Sequence, residues 1–267
     1  MKSAFWWSVI IVLWVGIAAF FYYWKHNEAR EPQLQAPPRA ETPPAPEAKV
    51  EPQIRHPIEG IGSEGQETSL PALAESDKAA QEALGGLYGQ KTIEQLFYPT
   101  DIIRRIVATV DNLPRQKAAL RLMPVKPVPG QFVTAGDEAS RSIGPDNYRR
   151  YAPYVLVAEA VDAKKLVTVY VRFYPLFQQA YKELGYPTGY FNDRLVETID
   201  NLLAAPDVQG PVKLVRPKVM YQFADPQLEQ LSAGQKIMVR IGAENAARIK
   251  TRLRDIRREL TGETSKP

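Results

Sequence analysis

The chain contains no cysteine and only two histidines, His26 and His56, in 267 residues. Without cysteine there are no disulfide staples and no thiolate metal sites. Both histidines precede the region expected to fold. No Ser–His–Asp triad, zinc site or histidine general base is therefore expected inside it. The same region lacks a P-loop, G-x-S-x-G, S-x-x-K and H-E-x-x-H. No metal and no cofactor is expected.

Charge is absent from Phe5 to Trp24, a run of twenty residues closed by Lys25. At about 1.5 Å per residue it spans roughly 30 Å, the hydrocarbon thickness of a bilayer. Ten residues of the Phe, Val, Ile and Leu types favour insertion by about 3–6 kcal/mol together. Trp6, Trp7, Tyr22, Tyr23 and Trp24 stand at its ends as interfacial aromatics do. A cleaved signal peptide has a shorter apolar core followed by small residues. The run is therefore predicted to be a transmembrane anchor over residues 1–25. Lys2 lies on one side, and Lys25, Arg30 and Arg39 on the other. A bare count of basic residues would keep the downstream part in the cytoplasm. Long domains translocate largely regardless of charge, and the expectation here is a bacterial inner-membrane protein with a periplasmic domain.

Bulky apolar residues are scarce from residue 26 to 75. Nine prolines, from Pro32 to Pro71, alternate there with Glu, Ala and Gln. Such a segment buries too little to offset ordering entropy and reads as a disordered, Pro-rich linker. Fully extended in polyproline II, residues 26–74 would reach roughly 150 Å. Gly60, Gly62 and Gly65 satisfy G-x-G-x-x-G, but no strand precedes them and no amphipathic helix follows, so the match is read as coincidence. Up to Glu75 there are 6 Lys+Arg against 9 Asp+Glu; from Ser76 onward, 28 against 21. The net +7 of the second part points to an anionic neighbour or to a solvated basic surface.

Residues 76–262 are predicted to form one globular domain, mainly α with a small β element, before a 263–267 tail. Ser76 is expected to cap a helix stopped by Gly85, and Thr92 to cap the next. Asp101 opens a helix with Ile102, Ile103, Ile106, Val107 and Val110 on one face. Leu120 to Gly130 reads as loop, Gln131 to Ala135 as a short strand and Tyr151 to Val161 as helix. Asp162 caps a long amphipathic segment in which Pro175 predicts a kink or a break. Phe191 to Leu203 is a further helix. Val212–Val215 and Val219–Phe223 are strand candidates. Pro226 to Ile241 is expected to be helical despite Gly234, and Ala243 to Leu260 forms the last helix.

Three constellations could carry chemistry. Asp193, Glu197 and Asp200 fall at i, i+4 and i+7, on one helical face. Carboxylates so arranged can do acid–base or hydrolytic work where their environments split their pKa values; otherwise they form a solvated or arginine-paired row. Eleven aromatic residues crowd into Tyr148–Phe191. Tyr174, Gln178, Tyr181, Asn192, Arg194 and Arg216 are the candidate ligand-binding residues there and nearby, as would suit a stacked glycan. Aromatics at helical spacing are more often core. The last helix sets Ala246, Ile249, Leu253, Ile256 and Leu260 against six basic residues, which fits anionic lipid, an acidic partner, or a docked helix with a solvated face.

The stretches FYPLFQQAYKELGYP, YFNDRLVETIDNLL, GPVKLVRPKVMYQFADP and LSAGQKIMVRIG together resemble a bacterial family catalogued as domain of unknown function 3014. The resemblance implies a single-pass membrane protein and no reaction type. The functional expectation is a membrane-anchored, non-enzymatic binding domain held away from the inner membrane, contacting an envelope protein, anionic lipid or glycan and not nucleic acid. The alternative is an envelope glycan or lipid hydrolase using the helix carboxylates.

Overall fold

The computed structural model describes residues 53–58, 61 and 69–262. The expected anchor at Phe5–Trp24 and the 263–267 tail lie outside the described residues. Among the described residues, no helix is long and apolar enough to cross a membrane.

Helices α1 (Asp77–Tyr88), α2 (Gln90–Leu96) and α3 (Ile102–Asn112) come first. Helix α1 runs through Gly85 and ends at Gly89, whose φ of 84° is one that glycine adopts without strain. Thr92 lies inside α2 rather than capping it. Helix α3 begins where expected, yet the side chain of Asp101 does not cap it. The carboxylate of Asp77, the first residue of α1, accepts from Asp101 N–H at 2.8 Å and Ile102 N–H at 2.9 Å. Two orphan donors at the positive end of α3 are thus satisfied from another helix. Ile102, Ile103, Val107 and Val110 are buried, as their spacing predicts.

Strands β1 (Thr134–Ala135) and β2 (Ser142–Ile143) pair antiparallel, followed by the short α4 (Pro145–Arg149) and α5 (Ala152–Ala160). Helix α6 (Ala163–Glu183) is capped by Asp162, which accepts from Lys165 N–H. It continues through Pro175, so the predicted break is not found. An interior proline costs about 3 kcal/mol. Phe173, Leu176 and Phe177 flank it and bury in one cluster, each contributing roughly 1.5–3 kcal/mol, which outweighs that cost.

Helix α7 (Phe191–Leu203) matches its predicted span. Strands β3 (Leu214–Val215) and β4 (Gln222–Phe223) form the second antiparallel hairpin, with Leu214 opposite Phe223. Ile143 N–H donates to Val212 and Leu214 N–H to Arg141, which joins the two hairpins. The expected helix over Pro226–Ile241 is two helices, α8 (Pro226–Glu229) and α9 (Ala233–Arg240). Ser232 and Gln235 make a reciprocal capping box that starts α9. Gly234 is there for close approach: its N–H donates to Leu113 at 2.8 Å, and a Cβ would meet Leu202 at 2.6 Å.

Helix α10 (Ala243–Thr261) docks by its apolar stripe. Leu253, Ile256 and Leu260 pack with Val167, Val196 and Ile199, and Ala246 with Ile249 packs against Ala205, Met238 and Ile241. The main core sits between α1, α3, α6 and the first residue of α7.

Candidate functional site

Helix α7 opens with Phe191-Asn192-Asp193-Arg194, and all four side chains turn toward the protein. Phe191 is 1% exposed and stacks on Phe177 with ring centroids 5.5 Å apart. Behind it, Tyr170 contacts Tyr174, Phe177 and Phe191, and Tyr181 stacks on Tyr186 at 4.5 Å. The rings at helical spacing therefore pack mainly on one another as core. A cavity of about 260 Å³ adjoins them between α1, α3, α6, α7 and α10. It is partly open to solvent, and its wall is almost wholly aliphatic and aromatic, which gives a glycan almost no hydrogen-bonding partner.

Asn192 is fully buried. Its Oδ1 accepts from Tyr170 Oη at 3.0 Å, and its Nδ2 donates to the His56 carbonyl at 2.8 Å. Asp193 is 8% exposed and accepts from two successive main-chain N–H groups: Arg55 at 3.1 Å and His56 at 2.8 Å. Residues 55 and 56 lie in the stretch read as linker, and this pair of side chains holds their backbone against the domain. The expectation that both histidines stand apart from the domain is corrected for His56, although only its main chain takes part in these bonds. Burial pushes the Tyr170 hydroxyl well above the ordinary tyrosine range, helped by nearby Tyr174 and Asp193. The hydroxyl therefore stays a proton donor to Asn192.

Gln178 is a second junction. Its Oε1 accepts from Tyr174 Oη and from Phe191 N–H, while its Nε2 donates to the Gly189 carbonyl at 2.7 Å. Every hydrogen-bonding atom of this amide joins α6 to the start of α7. Arg194 reaches the other way. It donates to the Asp111 carbonyl at 2.6 Å, sits 3.3 Å from the Asp111 carboxylate and holds Glu197 at 2.9 Å. Asp111, at 3% exposure, also takes Arg115 at 2.7 Å. Burial raises the Tyr181 hydroxyl, with Arg194 acting against it.

Asp193, Glu197 and Asp200 thus share a helix without forming one site. Asp193 faces inward onto the main chain of residues 55 and 56, half-exposed Glu197 pairs with Arg194, and Asp200 accepts from Arg257 at 2.6 Å. Neither the 260 Å³ cavity nor the open groove beside α3 and α6 includes any of them. Arg216 is remote from the seam in contacts as in sequence: it donates to the Val219 carbonyl and lies over the Tyr221 ring.

The basic residues of α10 are largely committed within the chain. Arg248 grips Glu159, whose carboxyl is held low by that hydrogen bond. Arg252 and Arg258 pair with Asp255, and Arg257 pairs with Asp200. Lys250 is 5% exposed, with Nζ 2.6 Å from both the Ala205 carbonyl and Asp207. Sequence pattern marked α10 as a basic face; it did not foresee Lys250 as an interior cation, nor Asp77 and Asp111 as the anchors of α3. Asp193 had one local signal, since an acidic residue in the first turn complements the helix dipole.

No curated protein and no solved structure matches this chain. Residues 102–257, more than half of the sequence and reaching from the start of α3 into α10, match the family described as "Protein of unknown function (DUF3014)". The chain belongs to that family.

Proposed function

We propose that this chain is a single-pass bacterial inner-membrane protein that holds a non-enzymatic binding domain in the periplasm. The uncharged run Phe5–Trp24 and the Pro-rich segment after it support the anchored arrangement. One observation carries the non-enzymatic reading: the three carboxylates best placed by sequence for acid–base work each serve a different structural partner. Asp193 in particular is occupied by the main-chain N–H groups of Arg55 and His56 of the same chain. An envelope protein, anionic lipid or glycan is the class of partner.

Two experiments test this reading. The full chain should remain in the membrane fraction through an alkaline carbonate wash, and a C-terminal alkaline phosphatase fusion should be active. A carbonate-soluble chain, or a fusion active only in the cytoplasm-reporting format, would reject it. The Glu197→Gln, Asp200→Asn double variant should complement a deletion strain as the parent does. Failure of a folded, normally abundant variant would return the hydrolase alternative.

A further inference from the structure

We infer that the β3–β4 hairpin is a docking element for an anionic lipid surface. Leu214 and Phe223 form its inner side and bury with Val212 and Val239. The opposite side sets Val215, 46% exposed, against Gln222, and the tip leaves Val219 76% and Met220 75% exposed. The last two are the most exposed large apolar side chains among the described residues. Lys213, Arg216 and Lys218 lie among them, and the sequence holds no acidic residue from Val208 to Ala224.

The contrast with α10 identifies the feature. Arg248, Lys250, Arg252, Arg257 and Arg258 each have an acidic partner within 4.0 Å. Lys213, Arg216, Lys218 and the neighbouring Arg141 have none among the described residues. Other cations without an acidic partner stand elsewhere among the described residues, Lys164, Lys165 and Arg254 among them, but on the hairpin they lie beside exposed apolar side chains in a stretch free of acidic residues.

The tip is also held in shape. Arg216 Nε donates to the Val219 carbonyl at 3.1 Å, and Arg216 and Arg141 both lie over the Tyr221 ring. Phe132 packs against that ring at 5.8 Å. Two apolar side chains beside three unpaired cations match a bilayer interface, where ammonium and guanidinium groups meet phosphates while short apolar side chains enter below them. A six-residue tip between Val215 and Gln222 offers too little surface for a stable protein interface, which needs about 800 Å² per partner. A fluid lipid surface has no such requirement. This inference deepens the proposed function, because the bilayer concerned is the one the anchor would enter.

The absence of cysteine makes single-site labelling direct. The full chain carrying Met220→Cys, labelled with a polarity-sensitive fluorophore, is reconstituted into vesicles of phosphatidylcholine with phosphatidylglycerol, or of phosphatidylcholine alone. In the anionic vesicles the label should shift to the blue and be quenched by acyl-brominated lipid. Charge reversal at Lys213 and Lys218 should lower the docked fraction by about tenfold or more. A label at Glu82→Cys on α1 should stay water-like throughout. The inference is overturned if the Met220 label stays water-like in anionic vesicles, if it responds equally in phosphatidylcholine alone or after charge reversal, or if it responds only when an acidic protein is added. A separate Phe20→Cys label reports the anchor. Its failure to be quenched rejects the anchored reading, while the Met220 label still reports docking of chain added from solution.

Discussion

The start of α7 and the tip of the β3–β4 hairpin are inverted in opposite senses. At the first, Asn192, Asp193 and Arg194 carry polar groups into the protein; at the second, Val219 and Met220 carry apolar groups out of it. Each inversion is unfavourable taken alone. At α7 the chain supplies the compensation itself, because carbonyls, N–H groups and counter-charges meet those side chains at hydrogen-bonding distance. At the hairpin nothing in the described chain does so. Polar residues inside are thus explained by the fold, and apolar residues outside are left for a partner. This contrast separates architecture from interaction more cleanly than residue type does, since the polar cluster would have been the natural first choice for a site.

The largest effect expected from breaking this comparison is Arg194→Ala. It strips Asp111 of an ion pair in a position almost closed to water, and half-exposed Arg115 only partly replaces it. About 3 kcal/mol of stability should be lost in chemical denaturation. Asp193→Ala comes next, at about 1–3 kcal/mol, because two N–H groups lose their acceptor. It should also free residues 53–58, read as faster tryptic cleavage after Arg55, whereas Arg194→Ala should not selectively expose that site under folded conditions.

Titration is a third test. Burial raises the hydroxyls of Tyr88, Tyr170 and Tyr181. The folded state then keeps protons that the unfolded chain releases above a pH of about 10. Stability should be intact below that pH and decline above it, and Tyr170→Phe should reduce the decline. The carboxyls of Glu159 and Glu183 are held low by hydrogen bonds, from Arg248 in the first case and from Gln179 and Arg104 in the second. Their contribution is present above the ordinary carboxyl range and is lost as pH falls through their folded values; because both are exposed, the acid effect should be much the smaller. The smallest effect on stability belongs to Val219→Asp with Met220→Asp, within about 0.5 kcal/mol of the parent. A large loss of stability in that variant would mean that the tip is covered from within the chain.

Helices α3, α7 and α10 were legible because their apolar residues recur at three and four; the cap of α3 was not, since it comes from Asp77 on another helix. The same reading failed where long-range packing overrode a local signal. Pro175 looks like a break, and Phe173, Leu176 and Phe177 hold the helix through it. Gly85 looks like a stop, but the turn conformation is adopted four residues later at Gly89. The division between α8 and α9 is written in Ser232 and Gln235, whose spacing is that of a capping box. Strand β2 is two residues long and has too little pattern to register. Of the candidate site, the sequence located the residues and could not assign their direction. Asp193 and Glu197 are four apart on one helix, yet one is buried and the other half-exposed.

The linear sequence alone determined the uncharged twenty-residue run, the proline-rich stretch, the mainly helical domain and the lack of cysteine, all properties of neighbours along the chain. Only the tertiary structure decided that Asn192 and Asp193 hold the backbone of residues 55 and 56, that five of the α10 cations meet carboxylates and that the hairpin cations do not. The reason is physical. Whether a charge is balanced or an apolar group covered depends on atoms within a few ångströms in space, and those atoms lie up to 138 residues away in sequence.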